Sequence, residues 1–386
     1  MISGPPSETP KVKHEAPSAI LTRIIGHIDL DYFYAQVEEV EDPSIKDRPV
    51  IVCVFSGRTE DSGVVSTSNY RARELSVRSG MPIVTAKKKL EGHNPVIIKM
   101  VHEKYEAVSE RVMDLVSERV DIFEKTGIDE AFFDVTTSSG GDYPAAIEIA
   151  QGVKDAILQN EGLVSSVGLG KSKVVAKLGS DSAKPGGLMA VPPEHTEAFL
   201  SPLLVIKLYG VGPKTASILA EMGVKTVKEL SDSDASVLEK RFGRRLASYL
   251  RAAASGSDSD PVQPNLEPTQ FSRIVTLKRD TRAAAEALDQ LDQGVESIKD
   301  KLVRSGKSFR TISAIGVMAD LSTKTKSKTF DVPVNDPALI KASALALLRD
   351  LVQSTNKDLR RVGVRVSELS DSMDQSSLTE FVEHGR

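Results

Sequence analysis

Cysteine is almost absent from this chain, since Cys53 is the only one among 386 residues. It lies inside the apolar run 50–55, where a buried core thiol is expected rather than a nucleophile. A single cysteine excludes intramolecular disulfides and cysteine-based zinc sites. Long apolar runs are also missing, so no segment has the length of a membrane-spanning helix. Residues 1–20, rich in proline and serine, lack the apolar core of a signal peptide, and we expect a disordered segment at residues 1–22 of an intracellular protein.

An excess of one charge sign is missing as well. The formal net charge is −4, although 27% of the residues are charged. Overall basicity therefore does not indicate a nucleic-acid partner, and any such signal must be local. At 386 residues, of which 40% are hydrophobic, the chain is long enough for two to four domains.

Two acidic segments are the clearest candidates for chemistry. An apolar run ends on Asp29 and Asp31, and about a hundred residues later residues 127–134 place Asp129 and Glu130 at a predicted hairpin bend. We expect these acids to lie on rigid strand ends with no cysteine or histidine nearby. Oxygen ligands of this kind suit Mg²⁺ rather than zinc. Helix capping accounts for Asp31, but turn chemistry accounts poorly for Asp129 and Glu130. The pattern favours a two-metal site for phosphoryl transfer at Asp29, Asp129 and Glu130.

The hydrophobic periodicities predict the element order β-α-β-β-α-β twice. In the first copy the strands are predicted at residues 23–29, 120–126, 131–135 and 163–168, with residues 41–99 as an insertion. This is the ferredoxin-like order, in which the first strand lies beside the central hairpin. Asp29 and Asp129 are therefore expected to converge.

The second copy, residues 271–369, carries the local basic signal. Basic side chains outnumber acidic ones in its first sixty or so residues. Lys324, Lys326 and Lys328 share one face of a predicted strand, and on another predicted strand Arg361 and Arg365 alternate with the valines at 362, 364 and 366. A sheet with apolar side chains inward and basic side chains outward suits a phosphate backbone.

Between the two copies, residues 192–257 are predicted to be helical, and a linker at 258–270 follows. Gly210 and Gly212, with Lys214 two residues on, resemble the turn of a helix-hairpin-helix. Backbone amides of such a turn bind a DNA phosphate without reading the base sequence.

Two further groups have both a functional and an ordinary explanation. Tyr34 could contact a nucleotide sugar and exclude a 2′-hydroxyl, or it could pack beside Phe33 in the core. Tyr70 and Arg73 share a helix face and, with Lys184, could clamp a triphosphate, or they could form a solvated basic face.

Several separate stretches are similar to one family. Residues 27–38 resemble the first motif of the Y-family (DinB-like) translesion DNA polymerases, and most of all their archaeal branch. Residues 52–58 and 69–73 are similar to the fingers of that family. Residues 167–173, residues 183–185 and the Gly210 turn are similar to its palm and thumb. Residues 271–278 and 361–365 are similar to its little finger. The match extends from about residue 23 to residue 369.

The resemblance implies an α+β multidomain, right-hand polymerase. Its parts would be a ferredoxin-like βαββαβ palm at 23–40 and 100–191, small α+β fingers at 41–99, a helix-hairpin-helix thumb at 192–257, a linker at 258–270, a second βαββαβ domain as the little finger at 271–369, and a C-terminal tail at 370–386. It would add dNTPs to a primer on template DNA with two Mg²⁺ ions, or Mn²⁺ in their place, tolerate damaged bases and lack a proofreading exonuclease. We expect a monomer without a membrane partner in the cytoplasm, associated with the nucleoid.

The resemblance also implies a role for individual residues. It assigns the metal ions to Asp29, Asp129, Glu130 and the Leu30 carbonyl, the steric gate against ribonucleotides to Tyr34, and triphosphate contacts to Thr67, Tyr70, Arg73 and Lys184. Two positions depart from the family pattern. Gly127 stands where serine is usual, and Ser66 stands where a small apolar residue is usual.

The C-terminal stretch with Gln375, Leu378 and Phe381 has the spacing of a short peptide that docks on a sliding clamp, although a frayed helix explains it equally well. Val382 replaces the second aromatic residue of that peptide, so docking should be weak.

Two other functions are compatible with the acidic residues. One is another magnesium-dependent palm domain, such as a nucleotidyl cyclase or a reverse transcriptase; the Gly210 turn and the basic sheet argue against a cyclase, which needs no grip on a duplex. The other is a catalytically inactive family member that serves as a DNA-binding scaffold. The intact acids Asp29, Asp129 and Glu130 argue against this role.

Overall fold

The computed structural model describes residues 21–264 and 267–371. The segment up to residue 20 and the predicted clamp peptide with Gln375, Leu378 and Phe381 lie outside these ranges. None of the helices in the described ranges is long and apolar enough to cross a membrane.

Helices and strands are interspersed along the described chain. Up to residue 100 they are β1 (Ile25–Leu30), α1 (Phe33–Glu41), β2 (Val50–Phe55), β3 (Gly63–Ser68), α2 (Tyr70–Glu74), α3 (Ile83–Leu90) and β4 (Val96–Lys99). Up to residue 264 follow α4 (His102–Ser117), β5 (Ile122–Lys125), β6 (Glu130–Asp134), α5 (Tyr143–Glu161), β7 (Ser165–Gly170), α6 (Lys173–Ala183), β8 (Leu188–Val191), α7 (Thr196–Leu200), α8 (Pro213–Glu221), α9 (Val227–Ser231), α10 (Ala235–Phe242) and α11 (Arg244–Ala254). The last are β9 (Gln270–Thr281), α12 (Ala284–Ser305), β10 (Lys307–Met318), β11 (Thr323–Val334), α13 (Pro337–Gln353) and β12 (Leu359–Asp371).

The described chain divides into two units, and each combines two separate parts of the sequence. The first unit holds the described residues up to Glu41 and those from Val101 to residue 264. The second unit holds Asp42–Met100 and the described residues from 267 to 371.

The first unit is built on a five-stranded sheet of order β5-β6-β1-β7-β8. Strand β1 is central, and all six of its residues are buried. It pairs antiparallel with β6 on one side and with β7 on the other. This confirms the predicted ferredoxin-like order, in which the first strand neighbours the central hairpin. Strand β8, parallel to β7, adds a fifth strand that was not predicted.

Helix α6 packs closely on β7 because Gly168 has no side chain. A Cβ atom at Gly168 would lie 2.0 Å from the carbonyl oxygen of Ala176 and 2.2 Å from the amide nitrogen of Ser180. Real Cβ atoms do not approach backbone so closely, and glycine is therefore required. The close packing holds α6, which carries Lys177, against the centre of the sheet.

Asp31 was predicted to cap helix α1, but it does not. The helix begins at Phe33, and the Asp31 carboxylate instead accepts hydrogen bonds from the Ser166 hydroxyl at 2.9 Å and from the Gly186 amide at 2.6 Å. The prediction was wrong because a partner distant in sequence competes for a side chain that local rules assign to the helix.

Five short helices, α7 to α11, complete the first unit, and they share an apolar core with α6. Leu219, Leu230, Leu238 and Leu250 are fully buried in it. Their positions agree with the predicted helical segment at 192–257.

In the second unit, one sheet has the order β3-β2-β4. Strand β2 is antiparallel to β3 and parallel to β4. Cys53 lies in its core and is buried, as predicted. Burial raises the pKa of its thiol to about 11, so the thiolate nucleophile is disfavoured.

The other sheet of the second unit has the order β11-β10-β12-β9 and is antiparallel throughout. The predicted second β-α-β-β-α-β order is confirmed, but the neighbours differ from those in the first unit. Here the last strand, β12, is central and the first strand, β9, lies at an edge. Helices α12 and α13 cover one face, and Ile298, Leu348 and Val364 are fully buried in the core that the helices form with the sheet.

Candidate active site

The acidic residues predicted to bind metal come together in the first unit. Asp29, next to the end of β1, is the register partner of Glu130, the first residue of β6. The Leu30 amide donates a hydrogen bond to the Asp129 carbonyl at 2.8 Å. Since directly paired residues project on the same side of a sheet, the carboxylates of Asp29 and Glu130 share one face. The predicted convergence is therefore present.

The negative charges of this cluster repel one another. Burial, followed by the charges of Asp29 and Glu130, raises the pKa of Asp129 to about 6. Asp29 itself is only 8% exposed. A buried carboxylate whose ionised form is disfavoured, such as that of Asp129, is stabilised by positive charge nearby.

Two lysines supply positive charge within the first unit. Lys184 Nζ lies 2.7 Å from Asp29 Oδ1. Lys177 Nζ lies 2.7 Å from Glu130 Oε2 and 3.9 Å from Asp29 Oδ2. Lys184 was predicted as a triphosphate ligand. Lys177 was not predicted, because no local spacing connects a residue on α6 with these acids.

His27 is a further neighbour of the acids, contrary to the expectation that no histidine lies nearby. Its Nδ1 is 2.7 Å from Ser180 Oγ, and the Ser180 hydroxyl itself donates to the Lys177 carbonyl at 2.8 Å. Nδ1 must therefore carry the proton and donate to Ser180. His27 Nε2 lies 3.5 Å from Glu130 Oε2, too far for a good hydrogen bond. His27 and Lys177 together lower the pKa of Glu130 to about 2.

The donor chemistry of the cluster fits a hard divalent cation. All the converging acidic groups offer oxygen atoms, which Mg²⁺ and Mn²⁺ prefer. In the described ranges no three His, Cys, Asp or Glu side chains are already arranged to hold a metal ion. Asp29 and Glu130 instead point at the ammonium groups of Lys184 and Lys177, which provide the counter-charge.

Tyr34 lies on α1 and is half-buried. Its ring centroid is 4.7 Å from that of Tyr105 and 5.4 Å from that of Phe33. Burial raises the pKa of its hydroxyl, and so does the charge of Asp129. The packing beside Phe33 that was considered as the ordinary explanation is present, and Tyr105, which was not predicted, also packs against the ring.

Known proteins match the chain over most of its length. The impB/mucB/samB family matches residues 28–181, and the C-terminal domain of that family matches residues 268–379. DNA polymerase IV of Methanosarcina acetivorans is 39% identical over 370 residues, which cover 94% of this chain and all of that protein. DNA polymerase IV of Nitrosopumilus maritimus is 37% identical, over 93% of this chain and 99% of that protein.

Solved structures of similar proteins also match the chain over most of its length. A Y-family DNA polymerase chimera of Dbh and Dpo4 superposes with a TM-score of 0.85 at 34% identity, over 90% of this chain and all of that one. An insertion ternary complex of Dbh DNA polymerase gives a TM-score of 0.66 at 34% identity, with the same coverage. The chain belongs to the Y-family of DNA polymerases. It is a DNA-directed DNA polymerase of the lesion-bypassing class with the right-hand fold, and polymerases of this family depend on divalent metal ions.

The residues that the family resemblance assigns to the triphosphate lie in both units. Lys184 is in the first, and Thr67, Tyr70 and Arg73 are in the second. Within the second unit, the Arg73 guanidinium carbon lies 5.0 Å from the centre of the Tyr70 ring, and Arg73 Nε donates to the Ser68 carbonyl at 2.9 Å. Tyr70 and Arg73 therefore share the predicted helix face.

The glycine turn predicted to bind DNA precedes a helix, but it does not follow one of full length. Gly210 adopts a left-handed backbone with φ of +79°, and α8 begins directly after Gly212 with Lys214 in its first turn. The preceding element is a single 3₁₀ turn, Val205–Lys207. The expectation of two flanking helices is thus correct on the C-terminal side only.

The basic residues of the predicted little finger were expected to form one surface, but they project on two different faces of their sheet. Lys326 pairs with Ala314, which in turn pairs with Val364, so this lysine projects on the face that the helices cover. Lys324, on the same side, donates to the carbonyl of Ser354 at the end of α13 at 3.1 Å. Arg365 pairs with Ser313 and projects on the opposite, helix-free face. The lysines of β11 remain exposed because β11 is an edge strand.

Proposed function

We propose that Asp29, Asp129 and Glu130, with the carbonyl oxygen of Leu30, hold two Mg²⁺ ions, which Mn²⁺ can replace. The observation that carries this assignment is the register of β1 and β6, which pairs Asp29 with Glu130 and bonds the Leu30 amide to the Asp129 carbonyl. When bound, such ions activate the primer hydroxyl and stabilise the leaving pyrophosphate. The lysine ammonium groups at 2.7 Å from Asp29 and Glu130 support the assignment, because they lie where positive charge is favoured.

The chain's own residues then select and hold the dNTP. In this proposal Lys184, Arg73 and Tyr70 contact the triphosphate, Arg by its fork geometry and Lys as a point charge, and Thr67 assists. Tyr34 acts as the steric gate, because a rigid aromatic ring beside the sugar leaves no room for a 2′-hydroxyl. The packing of Tyr34 against Tyr105 and Phe33 supports this role, since it restrains the ring.

Primer-template DNA is held by backbone contacts that do not read sequence. We assign these contacts to the amides of the Gly210 and Gly212 turn with Lys214, to Arg361 and Arg365 on the helix-free face of the little finger, and to Lys324, Lys326 and Lys328 on the exposed edge strand β11. The edge position of β11 separates its lysines from the two arginines, so the two groups would contact different phosphates.

The remaining assignments extend from the family to this chain. We propose that the protein acts as a monomer at the nucleoid in the cytoplasm. We also propose that the stretch with Gln375, Leu378 and Phe381 docks weakly on a sliding clamp. A pull-down of the chain with the clamp, with Phe381→Ala as control, tests the docking; equal retention of both would contradict it.

Primer extension on undamaged and abasic templates with Mg²⁺ tests the proposed site. We expect the wild type to extend both primers and Asp129→Ala to extend neither while retaining DNA binding. If both proteins bind DNA and neither extends a primer, the scaffold role is supported instead. Loss of DNA binding in Asp129→Ala would mean that the acid is structural.

A further inference from the structure

The short segment 184–187 presents Lys184 to the acidic cluster. It connects α6 to β8, and Lys184 Nζ lies 2.7 Å from Asp29 Oδ1. Lysine side chains are long and flexible, so the ammonium position depends on where the backbone of this segment is fixed.

A buried carboxylate fixes one side of the segment. The Gly186 amide donates to Asp31 Oδ2 at 2.6 Å, and the Ser166 hydroxyl donates to Asp31 Oδ1 at 2.9 Å. Asp31 is only 1% exposed, and a hydrogen bond from a backbone amide to a buried carboxylate is among the stronger ones in proteins. Both carboxylate oxygens are therefore occupied by protein donors, which leaves Asp31 poorly suited to bind a metal ion.

A half-buried lysine fixes the other side. Lys154, on α5, donates to the carbonyl oxygens of Gly186 at 2.9 Å and Gly187 at 3.3 Å, and also to the carbonyl of Ser165. The amide and the carbonyl of Gly186 are thus both bound by charged side chains. Backbone held in this way at both polar groups has little freedom to shift.

We propose that Asp31 is a positioning residue for dNTP binding, which acts by holding Gly186 so that Lys184 faces Asp29. The proposal rests on the proposed contact of Lys184 with the triphosphate. Asp31 follows Asp29 by two residues, so one stretch of backbone carries a metal-binding carboxylate and the anchor of the phosphate-binding lysine. The spacing between these two groups is then set by the fold and not by the substrate.

Two substitutions of Asp31 separate positioning from metal binding. Asp31→Ala leaves the Gly186 amide without its acceptor, and we expect the KM for dNTP to rise about tenfold or more while kcat changes less. Asp31→Asn keeps an oxygen for the Gly186 amide and offers an N–H to Ser166 Oγ, so we expect a KM within a few-fold of the wild type. A loss of kcat in Asp31→Asn as severe as in Asp129→Ala would overturn the proposal in favour of a metal ligand.

A double-mutant cycle with Lys184→Ala tests whether Asp31 acts through Lys184. We expect Asp31→Ala to raise the KM for dNTP in the wild-type background and to have little further effect when Lys184 is already alanine. Additive effects of the two substitutions would overturn the proposal.

Lys154→Met removes the second anchor and leaves Asp31 and the acids unsubstituted, so it provides the test if Asp31→Ala fails to fold. We expect it to raise the KM for dNTP by the same route, with no effect in the Lys184→Ala background. An unchanged KM in Lys154→Met would overturn the proposal.

Amide hydrogen exchange of the peptide that contains Gly186, measured without nucleotide or metal, provides a readout besides activity. We expect faster exchange in Asp31→Ala and wild-type rates in Asp31→Asn. Unchanged exchange in Asp31→Ala would contradict the anchoring, and faster exchange with an unchanged KM would contradict its role in binding. If the wild type incorporated no dNTP at all, the proposed function would fail while the exchange data still reported on Asp31.

Discussion

The ionised carboxylate of Asp129 should cost stability when no metal ion is present, and Asp129→Asn should reveal this cost. Burial and the charges of Asp29 and Glu130 raise the pKa of Asp129 from 3.8 to about 6. A shift of this size corresponds to about 3 kcal/mol, and because part of the side chain remains accessible we expect about 2 kcal/mol. Asparagine has nearly the same shape without the charge. The free energy of unfolding of the variant should therefore be about 2 kcal/mol higher than that of the wild type in EDTA at neutral pH.

The pH dependence has a definite sign. The folded state disfavours the ionised form of Asp129, so its destabilising effect is complete above the folded pKa of about 6. The effect fades as the pH falls towards the unfolded value of 3.8, because both states then bind the proton. The advantage of Asp129→Asn should be largest at pH 7 to 8 and small near pH 4.

Urea unfolding in EDTA at about pH 7.5 and about pH 4 measures the difference. Glu148→Gln, which neutralises an exposed acid on α5, is the matched control and should leave the unfolding midpoint unchanged. No gain in Asp129→Asn at the higher pH, or an equal gain at both, would refute the reasoning. Added Mg²⁺ should then stabilise the wild type more than the variant.

The geometry leads to three other predictions. Tyr34→Ala should raise kcat/KM for ribonucleotides relative to deoxynucleotides about tenfold or more, and an unchanged ratio would remove the steric-gate assignment. Replacing both Arg361 and Arg365 by alanine should make the affinity for DNA less dependent on salt. The negative slope of the logarithm of the binding constant against the logarithm of the salt concentration should decrease in magnitude by about 2, whereas a slope equal to that of the wild type would place these side chains away from the phosphates. Gly168→Ala should lower the free energy of unfolding by about 1 to 3 kcal/mol, because its Cβ would meet backbone at 2.0 Å. Gly152→Ala, on α5 with no atom outside the backbone of its own helix within 4 Å of the new Cβ, is the control and should be neutral or stabilising.

Sequence reasoning succeeded where the pattern is local. The apolar run of β1 and the turn at residue 127 were sufficient to place Asp29 and Asp129 at neighbouring strand ends, since the ferredoxin-like order leaves few alternatives. The effect of Gly127 on its neighbours, in contrast, depends on the three-dimensional packing. A Cβ atom there would lie 3.0 Å from Glu130 Cγ, so a serine, which is usual in the family, would crowd the Glu130 side chain unless it shifted.

The residues that sequence reasoning missed depend on packing between distant segments. Lys177, His27 and the true partners of Asp31 meet only because α6 lies against β7. The alternation of Arg365 with apolar residues was read correctly within β12, as was the shared side of Lys324, Lys326 and Lys328 within β11. Which face each strand presents depends on its register with β10 and β12, and a single sequence does not specify that register.

The central position of β1 in its sheet has a consequence for the order of events during synthesis. Asp29 leaves the ribosome early, but its partner Glu130 follows only about a hundred residues later and Ser166 later still. Pairings so distant along the chain form slowly, because a long loop must close before any contact compensates for the lost entropy. The second unit needs Asp42–Met100 together with residues beyond 267, so neither unit can be completed until the chain has been made well beyond its midpoint. A ribosome that stalls in between would release a polymerase whose first strand is exposed and unpaired, a form prone to aggregate.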